Sequence, residues 1–135
     1  MKTYNQKNKK QSYTDNWSTP QNIYSYYVEQ LGFYDPCPLN SKDDNLNKLI
    51  DDHLFINPPY SDITSWIDFS INNHKKYDKQ ITLLVPARTD TKWFHKIIEY
   101  GCEVQFIKGR LKFGNSKQSA PFPSIFIHLF PKGSL

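Results

Sequence analysis

The segment His53-Leu54-Phe55-Ile56-Asn57-Pro58-Pro59-Tyr60 decides how the rest of the chain is read. Its first half is a short apolar run and its second half a turn stiffened by two prolines, so a buried strand is predicted to end at a rigid corner. From Asp62 the positions Ile63, Trp66, Ile67, Ser70 and Ile71 fall on one helical face, which predicts a helix leaving that corner. The alternation continues downstream. Gln80 to Val85 reads as a second apolar strand stopped by Pro86, and Trp93, Phe94, Ile97 and Ile98 mark a helix ending near Gly101, with Asp90 a candidate cap. Glu103 to Ile107 and Ser124 to Phe130 read as further strands, separated by a glycine-bounded basic loop, Gly109-Arg110-Leu111-Lys112-Phe113-Gly114. Upstream, Thr19 is placed as the cap of a helix with Pro20 at its first position and Gly32 as its stop. Gly32 to Cys37 follows as a short strand ending in an acidic, proline-stiffened loop. Strands alternating with helices predict an α/β domain whose largely parallel sheet is covered by helices.

The chain has 135 residues, the length of one domain. Residues 1–14 are polar and Lys-rich and read as a basic flexible tail, leaving 15–135 as the folded domain. The net charge of +4 is unevenly spread. Lys2, Lys7, Lys9 and Lys10 crowd the beginning against Asp15. Residues 29–78 are predominantly acidic and residues 86–117 predominantly basic. Basic flanks around an acidic centre suit a protein that holds a cation centrally and meets a polyanion at its edges. No apolar run approaches the ~20 residues of a membrane span, and no secretory leader is visible, so a cytoplasmic protein is expected. Cys37 and Cys102 form no CxxC pair, and His53, His74, His95 and His128 lack ligand spacing, so no metal is expected.

Asn57-Pro58-Pro59-Tyr60 carries the chemistry. The prolines hold the Asn57 amide and the Pro58 carbonyl as paired hydrogen-bond acceptors, and neither proline offers an N–H, so the corner favours an amino group. Tyr60 adds a flat face on which a base or another planar amine stacks.

The tetrapeptide resembles the [D/N]PP[Y/F/W] motif of amino-group methyltransferases that use S-adenosylmethionine. Five further segments narrow the likeness: Asp15-Asn16-Trp17-Ser18-Thr19-Pro20, Gly32-Phe33-Tyr34-Asp35-Pro36-Cys37, Leu84 to His95, Gly109 to Gly114, and Ala120-Pro121-Phe122-Pro123-Ser124. In order and spacing they look like the phage-type, Dam-like adenine-N6 DNA methyltransferases, over about residues 15 to 130. The resemblance implies a reduced Rossmann-like fold and transfer of the sulfonium methyl to the adenine N6 amino group in DNA. It implies a phage- or prophage-encoded protein acting in a bacterial host cell. By the same likeness Asn57, Pro58, Pro59 and Tyr60 are catalytic, and Trp17, Thr19, Pro20, Asp35, Pro36, Cys37 and Asn57 contact S-adenosylmethionine. Asp43 and Asp44 are further candidates for its ribose hydroxyls. Tyr60 holds an adenine rotated out of the duplex, and Arg88, Lys92, Arg110 and Lys112 meet DNA, largely through its phosphates. One departure stands out: no glycine occurs between Gly32 and Gly101, and Asp35-Pro36-Cys37-Pro38 occupies the place of the usual glycine-rich loop.

An exocyclic amine is a weak nucleophile because its lone pair is delocalised into the ring. Accepting both its N–H bonds favours a more tetrahedral nitrogen whose lone pair points at the methyl group, so positioning and fixed dipoles supply much of the catalysis. Two other readings remain at this point: an amino-methyltransferase acting on RNA or on a protein glutamine, and a catalytically silent module that binds nucleic acid. The partner set is DNA without a membrane, and a homodimer would extend the grip of so small a domain.

Overall fold

The computed structural model describes residues 17–38, 45–114 and 118–134. The Lys-rich tail, Asp15, Asp43 and Asp44 lie outside the described residues.

Four strands form one sheet. They are β1 (Leu54–Ile56), β2 (Ile81–Pro86), β3 (Glu103–Phe106) and β4 (Ser124–Leu129), in the order β1-β2-β4-β3. Helix α2 (Ile63–Tyr77) connects β1 to β2, and α3 (Lys92–Tyr100) leads from β2 to β3. Helix α1 (Gln21–Tyr24) precedes them and runs directly into a wider π-helical stretch, Ser25–Gln30. Gly32 stands two residues beyond that stretch, and its φ of +75° suits the stop read from the sequence.

The sheet is mixed, which corrects the expectation of a largely parallel one. β1 pairs with β2 in parallel, but β4 runs antiparallel to both β2 and β3. β1, β2 and β3 therefore share a direction, and β4 alone opposes them. The cause lies in the connections: α2 gives β1 and β2 the crossover that parallel strands need, whereas among the described residues no helix separates β3 from β4. The strand expected over Gly32 to Cys37 shrinks to one parallel bridge, Tyr34 to Leu54.

Side-chain alternation divides the core between the two faces of the sheet. Leu54, Ile56, Leu83, Val85 and Ile127 point toward Trp66 and Ile67 of α2 and Trp93 and Ile97 of α3. Phe55, Leu84 and Phe126 point the other way, onto Ile23 and Tyr27 of the N-terminal helix and onto Phe113 and Ala120. The helical face read for α2 is buried as expected, and Trp93 is a core residue. Two capping expectations fail. Thr91, not Asp90, caps α3, its Oγ1 accepting from Phe94 N at 3.3 Å. At α1 the cap position is Pro20 and no side chain caps it, because the Thr19 hydroxyl is engaged elsewhere.

Candidate active site

The Tyr34 bridge, β1 and β2 run the same way, so their carboxyl ends meet at one edge, where open α/β sheets bind ligands. Three residues past the bridge on each strand stand Cys37 and Asn57. β2 delivers Pro86, Ala87 and Arg88 to the same edge, and β4 starts there at Ser124, paired with Pro86.

Asn57 is held through its amide nitrogen. Nδ2 donates to the Trp17 carbonyl at 2.7 Å and to Thr19 Oγ1 at 3.0 Å. Thr19 thus belongs to the site, 38 residues away in sequence, rather than to the helix end. Both donor positions being satisfied fixes which way the amide faces. Its oxygen Oδ1 is buried and has no partner among the described residues. A buried acceptor left unpaired costs free energy unless something completes it. Tyr60, at the first turn after the prolines, has a buried hydroxyl in the same condition. Burial raises its phenol pKa above the ordinary value, while the Arg88 guanidinium pulls the other way, so the exposed Arg88 lies within electrostatic reach of Tyr60.

An aromatic cluster covers this corner. The Trp17 indole lies nearly parallel to the Tyr60 ring, 23° between planes and 6.4 Å between centroids. Phe122 meets Tyr60 edge-on at 5.2 Å and Trp17 at 5.6 Å, and Phe113 approaches Trp17 at 5.4 Å. Gly114, with φ +54°, lets the Phe113 loop pass so close to Ser18 that any side chain there would strike the Ser18 hydroxyl. Sequence reasoning placed Phe113 and Phe122 inside motifs without giving them a part in the site. The signal was there in Pro121-Phe122-Pro123, an aromatic locked between two prolines.

The acidic loop lies alongside. Asp35 Oδ1 accepts from Cys37 N at 2.9 Å, so this carboxylate does close a turn. Burial also raises its pKa, against the opposing effect of that bond, and among the described residues it forms no ion pair. A desolvated carboxylate without a cation is a fitting partner for a positively charged ligand. Burial pushes the Cys37 thiol up to about 12, aided by the Asp35 and Asp62 carboxylates, so it is no nucleophile. Asp62, unassigned in the sequence reading, therefore flanks Cys37 as Asp35 does. Pro36 is buried, and its carbonyl accepts from Asn45 Nδ2 at 2.7 Å, which anchors the loop.

The four basic candidates are all exposed. Lys92 opens α3, while Arg110 and Lys112 lie on the loop between β3 and β4. Arg110 makes a long contact of 3.4 Å to the Ala120 carbonyl, which ties it to that loop. The structure thus brings together Trp17, Thr19, Asn57, Tyr60 and Arg88, with Asp35 to Cys37 abreast, and leaves the other three bases as separate surface charges. Among the described residues no helix is long and apolar enough to cross a membrane.

A family model for the DNA N-6-adenine-methyltransferases (Dam) matches residues 6–124. The chain is also similar to the DNA N-6-adenine-methyltransferase of Escherichia phage T1, with 25% identity over 111 residues, 72% of this chain and 46% of that protein. It therefore spans about half the length of this curated relative. No solved structure matches it.

Proposed function

The chain belongs to the DNA N-6-adenine-methyltransferase family, and from that premise we propose that it methylates the N6 amino group of adenine in DNA with S-adenosylmethionine as donor. The observation that carries this reading is the Asn57 side chain, whose nitrogen is fully used inside the protein and whose oxygen is buried and unpaired among the described residues. An oxygen held in this way accepts one N–H of an exocyclic amine, and the Pro58 carbonyl accepts the other. The prolines supply no competing donors. Tyr60 offers its ring to the extruded base. No general base is needed before attack, because the amine is neutral when it attacks and sheds its proton afterwards.

The methyl donor fits the adjoining loop. Asp35, desolvated and without an ion pair among the described residues, faces its positive charge, and Pro36, Cys37, Thr19 and Pro20 line the approach. When bound, it supplies a methyl group activated on a sulfonium. A reduced Rossmann-like methyltransferase domain, 15–135, agrees with the three codirectional strands and with a site at their carboxyl ends. Arg88, Lys92, Arg110 and Lys112 contact phosphates, the Lys-rich tail adds nonspecific affinity, and a homodimer would enlarge the DNA-binding surface. We read the protein as phage- or prophage-encoded and active in a bacterial cytoplasm.

The test is to express the chain in a methylation-free bacterial host and sequence its DNA for N6-methyladenine. Modified adenine at a defined site supports the proposal. Unmodified DNA alongside soluble, folded protein refutes it.

A further inference from the structure

We infer that the Trp17 indole is a placeholder for the target base, occupying its pocket until a base displaces it; this rests on the proposed reading of Asn57 and Tyr60 as the base site. Asn57 Oδ1 and the Tyr60 hydroxyl are both sealed from solvent and unpaired among the described residues. An amine from outside reaches Oδ1 only after a covering group moves. Among the described residues two rings lie against Tyr60, those of Trp17 and Phe122. Phe122 stands between Pro121 and Pro123, immediately before β4, and its backbone has little freedom. Trp17 lies in irregular backbone before α1, tied by the bond from Asn57 to its carbonyl and by ring contacts.

The spacing excludes a ready-made slot. A flat base between two rings needs two contact layers of about 3.5 Å, about 7 Å in all, more than the 6.4 Å between the Trp17 and Tyr60 centroids. The base therefore takes the place of the indole rather than sliding beneath it. Indole and purine are both fused six- and five-membered planar rings, so the pocket that packs one has the outline of the other. Opening costs ring contacts, and a base already unpaired or easily extruded repays them more readily than a stably stacked one.

The chain has three tryptophans, and Trp66 and Trp93 are buried in the core on the opposite sheet face, so Trp17 is the one that reports on the site. The probe is an unmethylated duplex fragment from DNA that the protein methylates in the host, added to the full chain while acrylamide quenching of tryptophan emission is followed. Displacement predicts that quenching rises when the duplex binds and that Trp17→Phe abolishes the rise. In a second arm Trp17→Ala is expected to lower KM for DNA by at least about threefold, the factor for a single ring pair, since the indole meets three rings. A merely structural tryptophan would raise KM and lower the melting temperature. Active protein with unchanged or reduced quenching overturns the placeholder and leaves the methylation reading standing. Absence of methylation in the host overturns that reading, and the placeholder with it.

Discussion

Replacing Asn57 with alanine tests together the amine-accepting role proposed for its oxygen and the bonds its nitrogen makes. Losing Oδ1 removes the acceptor aimed at the substrate amine. Loss of one preorganised polar contact of this kind costs about 100- to 1,000-fold in turnover. Losing Nδ2 removes the bonds to Trp17 O and Thr19 Oγ1, at 2.7 and 3.0 Å. At about 0.5–1.5 kcal/mol each, they amount to about 1–3 kcal/mol of stability. For a chain of this size that lowers the melting temperature by roughly 4–12 °C. Thr19→Val isolates the nitrogen's part. It deletes the 3.0 Å bond and keeps the acceptor. The remaining bond to Trp17 O, at about 1 kcal/mol, still holds the amide the right way round in about five-sixths of molecules, so turnover falls by less than about twofold. Single-turnover methyl incorporation and thermal melts on both variants provide the check. Asn57→Ala turning over within about tenfold of the parent, while melting lower as stated, would reduce Asn57 to a strap for residues 17–19 and refute the mechanism.

Three further outcomes are expected. Tyr60→Ala should weaken productive DNA binding by ~1–3 kcal/mol while Tyr60→Phe stays mild; equal damage from both, in KM for DNA, would assign the effect to the buried hydroxyl instead. Asp35→Asn keeps the acceptor for Cys37 N and removes a desolvated charge, so donor affinity measured by calorimetry should fall without loss of melting temperature, and unchanged affinity would make the loop purely structural. Burial holds His128 below its ordinary pKa, and the ring bonds Thr82 Oγ1 and Gln105 Oε1, each at 2.9 Å. The unfolded chain takes up the proton first, so stability is intact above about pH 6.5 and declines as pH falls below it. His128→Gln should flatten that decline in denaturant titrations, and an unaltered slope would clear His128 of the effect.

Much of the scaffold was legible in local patterning. Apolar runs place all four strands to within a residue, and the Ile63, Trp66, Ile67 spacing gives the buried face of α2. The proline corner after β1 singles out Asn57 and Tyr60 because few contexts fix a side chain so firmly. Strand direction was not legible. The run Ser124 to Leu129 reads the same whether it pairs parallel or antiparallel, and both of its neighbours in the sheet come from earlier in the chain. Of the two readings of Thr19, only the helix cap fails, for a related reason: Ser-Thr-Pro before an apolar repeat matches a cap signature, whereas its partner Asn57 is 38 residues away and invisible to local rules. The π-helical widening at Ser25–Gln30 shifts backbone bonds to the fifth residue, Leu31 N to Tyr26 O at 3.0 Å, and side-chain spacing does not show it.

The insertion of β4 between β2 and β3 also dictates when the candidate site is completed. As the nascent chain leaves the ribosome, β1, α2 and β2 emerge early and build the corner that bears Asn57, but β2 keeps a bare apolar edge and β3 has nothing to join. Every rung from Ile81 to Pro86 waits for Ser124 to Leu129. Pairings so distant in sequence are slow to form and expose sticky edges until they do. Phe126, which completes the floor beneath the N-terminal helix and its neighbouring loops, arrives on that same late strand. A polypeptide halted before residue 124 therefore carries the entire Asn57 to Tyr60 tetrapeptide without the strand that completes its platform.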